Sequence, residues 1–362
     1  MQQLPMDFQE RVIYSLRTLY NSSGYTQYKM SKFEEYDLYA RNKDFLISDG
    51  VITFMDTSGK LMALKPDVTL SIIKNSPDSG ELRKLYYTEN VYRVAKGTGS
   101  FRELAQVGLE CLGEIDDYAI AEVLTLAAES LRRISDESIL DISHLGIVTA
   151  LIDALGVPGR QRDELLKRIG EKNAHDMVAL CRGCGIAEER IAVLRELLAL
   201  GGAPEAVLPK VKTLVGDLIG TECVEQLERV TEVLRENGCA DMLRIDFSAV
   251  DDIHYYNGIV FKGFVRSLPD SVLAGGQYDK LMRKMGRRSG AIGFAVYMDA
   301  LERLEREKRD YDVDVLLLYR SDDALSDIAA ARRAILSGGE SVLVQRSIPG
   351  NIRYKRLCEV NQ

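Results

Sequence analysis

Over residues 6 to 20 apolar side chains recur at helical spacing. Phe8, Val12, Ile13, Leu16 and Leu19 fall on one face and predict an amphipathic helix, ended by NSSG at 21 to 24. From 46 to 115 the period shortens. VITFMDT, LMALKP, LRKLYYTENVYRV and SFRELAQVGLECLGEI read as strands broken by TSGK, NSPDSG and AKGTGS, the pattern of an antiparallel sheet. A helix follows at 116 to 134, then a strand at SILDIS. Residues 145 to about 238 are helix after helix, rich in Leu, Glu and Arg. Strand character returns at MLRIDFSAV and at IHYYNGIVFKGFV, 253 to 265, so a helical block interrupts a strand-rich core. A strand VDVLLLY, a helix DALSDIAAARRAILSGG and a strand ESVLVQ then form a βαβ-like unit.

Several stretches could carry chemistry. In SFRELAQVGLECLGE, alternation sets Gln106, Gly108 and Glu110 on one face, with the two polar residues roughly 13 Å apart at strand rise. The glycine between them leaves room for a small ligand, and a solvated sheet face fits the same pattern. In IHYYNGIVF, alternation puts Tyr255 and Tyr256 on opposite faces, with Gly258 opening space beside Tyr256. Aromatic sheet packing is the plainer reading there. Gly275 and Gly276 precede a helix in LAGGQYDKLMRKMG, suiting a tight turn or a close ligand approach. ALKPDVTLSIIKN reads as a strand end and proline turn, then a helix beginning near Asp67, whose carboxylate suits an N-cap. In GAIGFAVYMDALERL, 290 to 304, two glycines lead into a helical apolar pattern, as at anion sites, with no cation before Arg303.

Composition narrows the classes. At 362 residues, 46% hydrophobic and 28% charged, the chain has room for two or three domains of soluble type. No apolar run approaches a bilayer span and the N-terminus has no signal-peptide pattern, so a cytoplasmic protein is expected. The net charge of −8 argues against nonspecific nucleic-acid binding. Of the six cysteines only Cys181 and Cys184 form a CxxC pair. With histidines at 144, 175 and 254 alone, no metal site is expected. Phosphate-loop, nucleophile-elbow and zincin motifs are missing from the sequence.

Taken in order, GYTQYKMSKFEEY, LKPDVT, VYRVAKGTGSFRELAQVGLECLG, HYYNGIVF, LAGGQYD and AIGFAVYMDAL resemble the successive motifs of histidyl-tRNA synthetases across about residues 1 to 305. The resemblance implies an α+β fold, the class II synthetase antiparallel sheet flanked by helices. Core segments would be 1–144 and 239–308, a helical insertion 145–238, and a truncated anticodon-binding-like α/β unit 312–362. It also implies that Asp67 and Thr69 lie near a ligand's amino group and that Gln106 and Glu110 form a histidine pocket. Tyr255 and Tyr256 would line that pocket, and Arg93 would be the arginine that holds the ATP α-phosphate. An imidazole N–H and an ammonium both need acceptors, and carboxylates are the strong ones.

Departures from the family concentrate on the nucleotide. Val94, Ala95 and KGTGS stand where the family has a glutamate and a basic loop. Asp251, Gln277 and Ala300 stand where it has arginines, and Ser31 where its dimer motif has proline. Adenylate formation builds negative charge that fixed cations must stabilise, so activation should be disabled and Arg93 left as a vestige. This combination resembles the ATP phosphoribosyltransferase regulatory subunits, a noncatalytic branch. It implies a short-form catalytic partner, L-histidine as feedback effector and a homodimer within a hetero-oligomer. No cofactor, catalytic residue, metal, membrane or tRNA is expected. The competing expectations are a divergent histidyl-tRNA synthetase and a synthetase-like scaffold that binds no amino acid.

Overall fold

A computed structural model describes residues 6–42, 50–95, 98–248, 255–304 and 311–360. The elements in chain order are α1 (Phe8–Ser22), β1 (Thr26–Gln27), β2 (Phe33–Glu35), α2 (Tyr36–Ala40), β3 (Thr53–Met55), β4 (Leu61–Leu64) and α3 (Thr69–Asn75). Next come β5 (Arg83–Val94), β6 (Phe101–Gly113), α4 (Asp117–Ile134) and β7 (Ser138–His144). The helical block holds α5 (Leu145–Ala154), α6 (Gly159–Gly170), α7 (Ala174–Gly183), α8 (Glu188–Ala199), the short β8 (Gly201–Gly202), α9 (Pro204–Ile219) and α10 (Glu222–Glu236). The sheet resumes with β9 (Leu243–Asp246), β10 (Ile259–Val265), β11 (Leu273–Gln277), α11 (Asp279–Lys284) and β12 (Gly290–Tyr297). Last are β13 (Val313–Leu318), α12 (Leu325–Ser337), β14 (Val342–Gln345) and β15 (Tyr354–Glu359).

Phe8–Leu304 form one compact unit, and the described residues from Tyr311 to Val360 belong to a second. The first is built on a nine-stranded sheet of order β1-β5-β6-β12-β11-β10-β7-β9-β8. Six of its pairings are antiparallel, but β1 runs parallel to β5 and β9 parallel to β7. The sheet is therefore antiparallel through its centre, as expected for the class II fold, with one parallel pair towards each end. Parallel neighbours need a long crossover, and the helices α5–α10 supply one between β7 and β9.

Alternation along the strands separates two cores. Val107, Leu109 and Cys111 of β6 pack with Val12, Leu16 and Leu19 of α1 and with the buried face of α4. The helices α5–α10 join that same core through Leu151, Leu194, Val211 and Leu227. Each such side chain contributes about 1.5–3 kcal/mol on leaving water. Leu112 lies on the opposite face, where Tyr87, Val91 and the buried residues of α3 and α11 form the second core. A polar contact lies within the largely apolar seam between helical block and sheet. His144 Nδ1 accepts from Gly146 N at 3.0 Å and Nε2 meets Gln226 at 2.9 Å. His144 is thus a structural cap of α5.

Three expectations about local structure are corrected. Residues 290–297 form strand β12, followed by a 3-10 turn over Met298–Leu304, so the glycines do not open an α-helix. Ile292, Phe294 and Val296 enter one core while Ala291, Gly293 and Ala295 alternate onto the other face, a period of two concealed by the small residues. Tyr255 and Tyr256 precede β10 and lie outside any strand, so alternation does not apply to them. Gly258 makes room for Gln277: a Cβ there would stand 2.0 Å from Gln277 Oε1.

The second unit is a three-stranded parallel sheet of order β14-β13-β15. Its third strand, YKRLCE, carries Lys355, Arg356 and Glu359 and neither alternates nor forms an apolar run. No helix among the described residues is long and apolar enough to cross a membrane.

Candidate functional site

The site grows from the alternation of β6. Glu110 pairs with Gly293 of β12, and Gly293 pairs with Gly276 of β11. One step along, Gly108 pairs with Ala295 and Ala295 with Ala274; a further step pairs Gln106 with Tyr297. Directly opposite residues share a face, so these rows make a floor of glycine and alanine flanked by polar side chains. The floor has no space for more. A Cβ on Gly108 would meet Phe294 O at 2.4 Å and the Tyr87 hydroxyl at 2.5 Å. The paired glycines of β11 admit protein, since a Cβ on Gly276 would meet the Tyr256 ring at 2.8 Å.

Glu110 is 3% exposed. Thr69 Oγ1 donates to its Oε1 at 2.7 Å, and the Tyr278 hydroxyl donates to its Oε2 at 2.5 Å. Burial pushes its pKa up to about 8, reinforced by Asp67 and opposed by the two hydroxyl donors. Asp67 is buried just ahead of α3 and accepts from Leu70 N at 2.9 Å. Its pKa is raised by burial, against the pull of the Leu70 amide and of Arg93. Val68 holds the N-cap position of α3, so Asp67 stands one residue ahead of the expected cap; its carboxyl still takes a first-turn amide and lines the cavity.

Aromatic rings close the walls. Tyr255 and Tyr256 lie edge to face with centroids 4.8 Å apart, and Tyr278 is 5.7 Å from Tyr255. Burial and the nearby carboxylates drive the phenols of Tyr87, Tyr255 and Tyr278 well above their ordinary values, so these hydroxyls stay protonated. The cavity spans about 420 Å³ including its open mouth. Arg93 is the one cation among the described residues that line it, and its Nε donates to Pro66 O at 3.1 Å. The lining suits a small ligand that brings N–H donors and positive charge to two carboxyl groups.

All seven residues singled out in the sequence line this one cavity: Asp67, Thr69, Arg93, Gln106, Glu110, Tyr255 and Tyr256. The face bearing Gln106 and Glu110 is buried, so the solvated-face alternative fails. Tyr87, Tyr278 and Tyr297 also line it and had gone unmarked. Their signal was present for Tyr87 and Tyr297, which stand in register with the glycine and glutamine of β6.

The positions that would face a nucleotide have other partners. Gln277 Oε1 accepts from Ile259 N at 2.8 Å, and Asp299, the residue directly before Ala300, accepts from Ala105 N at 3.1 Å. Ala300 packs on the core. Backbone bonds from Ala95 N to Ser100 O and from Gly99 N to Ala95 O close the β5–β6 hairpin tightly. Asp251 and His254 lie outside the described residues. Among the described residues no group of three or more His, Cys, Asp and Glu could hold a metal ion.

A family model described as histidyl-tRNA synthetase matches residues 4–301. The chain is 30% identical over 328 residues to an ATP phosphoribosyltransferase regulatory subunit from Caldanaerobacter subterraneus subsp. tengcongensis, covering 88% of this chain and 85% of the relative. Among solved structures, an ATP phosphoribosyltransferase regulatory subunit/histidyl-tRNA synthetase from Bacillus halodurans superposes with a TM-score of 0.83 at 24% identity, covering 97% of this chain and 93% of the other. A chain of the ATP phosphoribosyl transferase (HisG:HisZ) complex from Thermotoga maritima superposes with a TM-score of 0.63 at 20% identity, covering 80% and 97%.

Proposed function

The chain belongs to the histidyl-tRNA synthetase family, in its branch of ATP phosphoribosyltransferase regulatory subunits, and from that premise we propose that its tyrosine-walled cavity is a histidine sensor. It is a regulatory subunit of ATP phosphoribosyltransferase, in histidine biosynthesis, and not the catalytic chain. In this reading Glu110, set by Thr69 and Tyr278, reads the imidazole of free histidine. Asp67 takes the ammonium, and Gln106 with Tyr255 and Tyr256 shapes the space between them. The observation that carries the reading is a contrast between two groups of positions. The cavity keeps two buried carboxyls, whereas Gln277, which stands where the family has an arginine, and Asp299, directly before Ala300, are committed to backbone amides.

The partner is the catalytic subunit of the enzyme, by analogy with the Thermotoga complex. The complex acts in the cytoplasm, with this chain as a homodimer within it. Regulation then requires that histidine bind one arrangement of the complex more tightly than another; a ligand indifferent to the two shifts nothing. Titration calorimetry of the purified chain with histidine tests the sensor. Heat that saturates, and that disappears in Glu110→Gln, supports it. No heat and no thermal shift at millimolar histidine contradicts it.

A further inference from the structure

The second unit leaves a strand edge open. Among the described residues β14 ends its sheet, with β13 as its one neighbour. The carbonyls of Ser341 and Gln345 accept from Val315 N at 3.0 Å and from Tyr319 N at 3.1 Å, so these residues turn their backbones towards β13. Alternation turns Leu343 the same way and aims the amides and carbonyls of Val342 and Val344 outward. The strand lacks the usual guards of an edge: VLVQ holds no charge and no proline. Charges stand just outside it, Glu340 before and Arg346 after. Arg356 pairs with Glu340, and the Arg346 guanidinium lies 5.5 Å from the centre of the Tyr319 ring.

We propose that this edge pairs antiparallel with the same edge of a second copy of the chain, joining two small sheets into one across a two-fold axis. Outward residues must meet outward residues, which admits registers of one parity only. Among these, the register centred on Leu343 matches every position. Leu343 then faces its own copy, Val342 faces Val344, Ser341 faces Gln345 and Glu340 faces Arg346, each across the axis. Apolar cross-strand pairs and opposite charges both favour pairing, and the two-fold axis repeats the Glu340–Arg346 match. A slip of two residues sets Arg346 against Val342 in one direction and Glu340 against Val344 in the other. The other edge, β15, has no equally complete register, since setting Lys355 against Glu359 puts Arg356 against Cys358. This surface is separate from the first-motif dimer contact that the family resemblance implies, and it does not rest on the histidine reading.

Sedimentation velocity and cysteine cross-linking of the full-length chain test it. Glu340→Arg alone sets like cations against each other at both ends of the pair, and Arg346→Glu alone does the same with anions. Each variant should sediment at about half the mass of wild type where wild type is paired. An equimolar mixture of the two variants is complementary at both ends and should regain the wild-type mass. Leu343→Cys should form a covalent dimer in oxidised glutathione, because Leu343 meets its copy at a non-hydrogen-bonded position with Cα atoms about 4.5 Å apart. Val342→Cys, which faces Val344, should cross-link no more than wild type, whose own thiols set the background. If a charge variant does not fold, the two cysteine variants carry the test. Single variants that keep the wild-type mass overturn the proposal, as does a mixture that stays dissociated. A Leu343→Cys chain that cross-links no better than Val342→Cys also overturns it.

Discussion

Gly293 lies directly across from Glu110 in the β6–β12 register, and a Cβ on it would come within 1.8 Å of Glu110 Oε2. The missing side chain is what lets a carboxyl occupy the sheet floor and reach Tyr278. Gly293→Ala must therefore push Glu110 off its two hydroxyl partners. Overpacking of this kind costs about 1–3 kcal/mol, and urea unfolding should show it. Histidine binding should fall together with stability. A variant that keeps full affinity would separate Glu110 from the ligand.

The pKa of Glu110, about 8, gives the free protein a definite pH dependence. The folded state holds this proton more tightly than the unfolded chain, whose carboxyl titrates near 4.5. Its contribution is complete below that value and is lost as pH rises through about 8. Wild type should thus lose stability relative to Glu110→Gln between those limits and run parallel to it above them. Denaturant titrations of both proteins across that range measure the difference. Curves that stay parallel throughout would mean that the carboxyl is not held protonated.

Lys65 is 1% exposed and pairs with Glu89, whose Oε1 also accepts from Met30 N at 3.2 Å. Removing one partner of a buried pair strands the other, at a cost of about 3–5 kcal/mol. Glu89→Ala should therefore destabilise the chain far more than the double replacement of Lys65 and Glu89 by methionine and leucine. Thermal unfolding compares the two. Because Pro66 and Asp67 follow Lys65 directly, Glu89→Ala should also weaken histidine binding.

Much of this site can be read from sequence because β6 is long and regular. Period two alone puts Gln106, Gly108 and Glu110 on one face, and the strand keeps that promise over its whole length. The same rule failed at Tyr255 and Tyr256, which lie in the approach to β10 and reach one cavity from irregular backbone. It was missed altogether at β12, where glycines needed for Glu110 and its neighbours imitate a helix start. Tyr278 could not be found from local pattern, since the carboxyl it bonds is 168 residues away. The helical block and βαβ unit were legible from periodicity. The strand β15 was not, because parallel pairing to β13 holds it and its own pattern is charged.

The central claim is that this cavity passes histidine's presence to a catalytic partner. Its most direct test is the rate of the complex formed with the catalytic subunit of the transferase, measured across histidine concentrations with wild type and with Glu110→Gln. The cavity account predicts that histidine inhibits the wild-type complex, and that the variant assembles and activates normally but needs at least about tenfold more histidine for the same inhibition, as expected for a lost charged hydrogen bond. An identical inhibition curve for both complexes would contradict it.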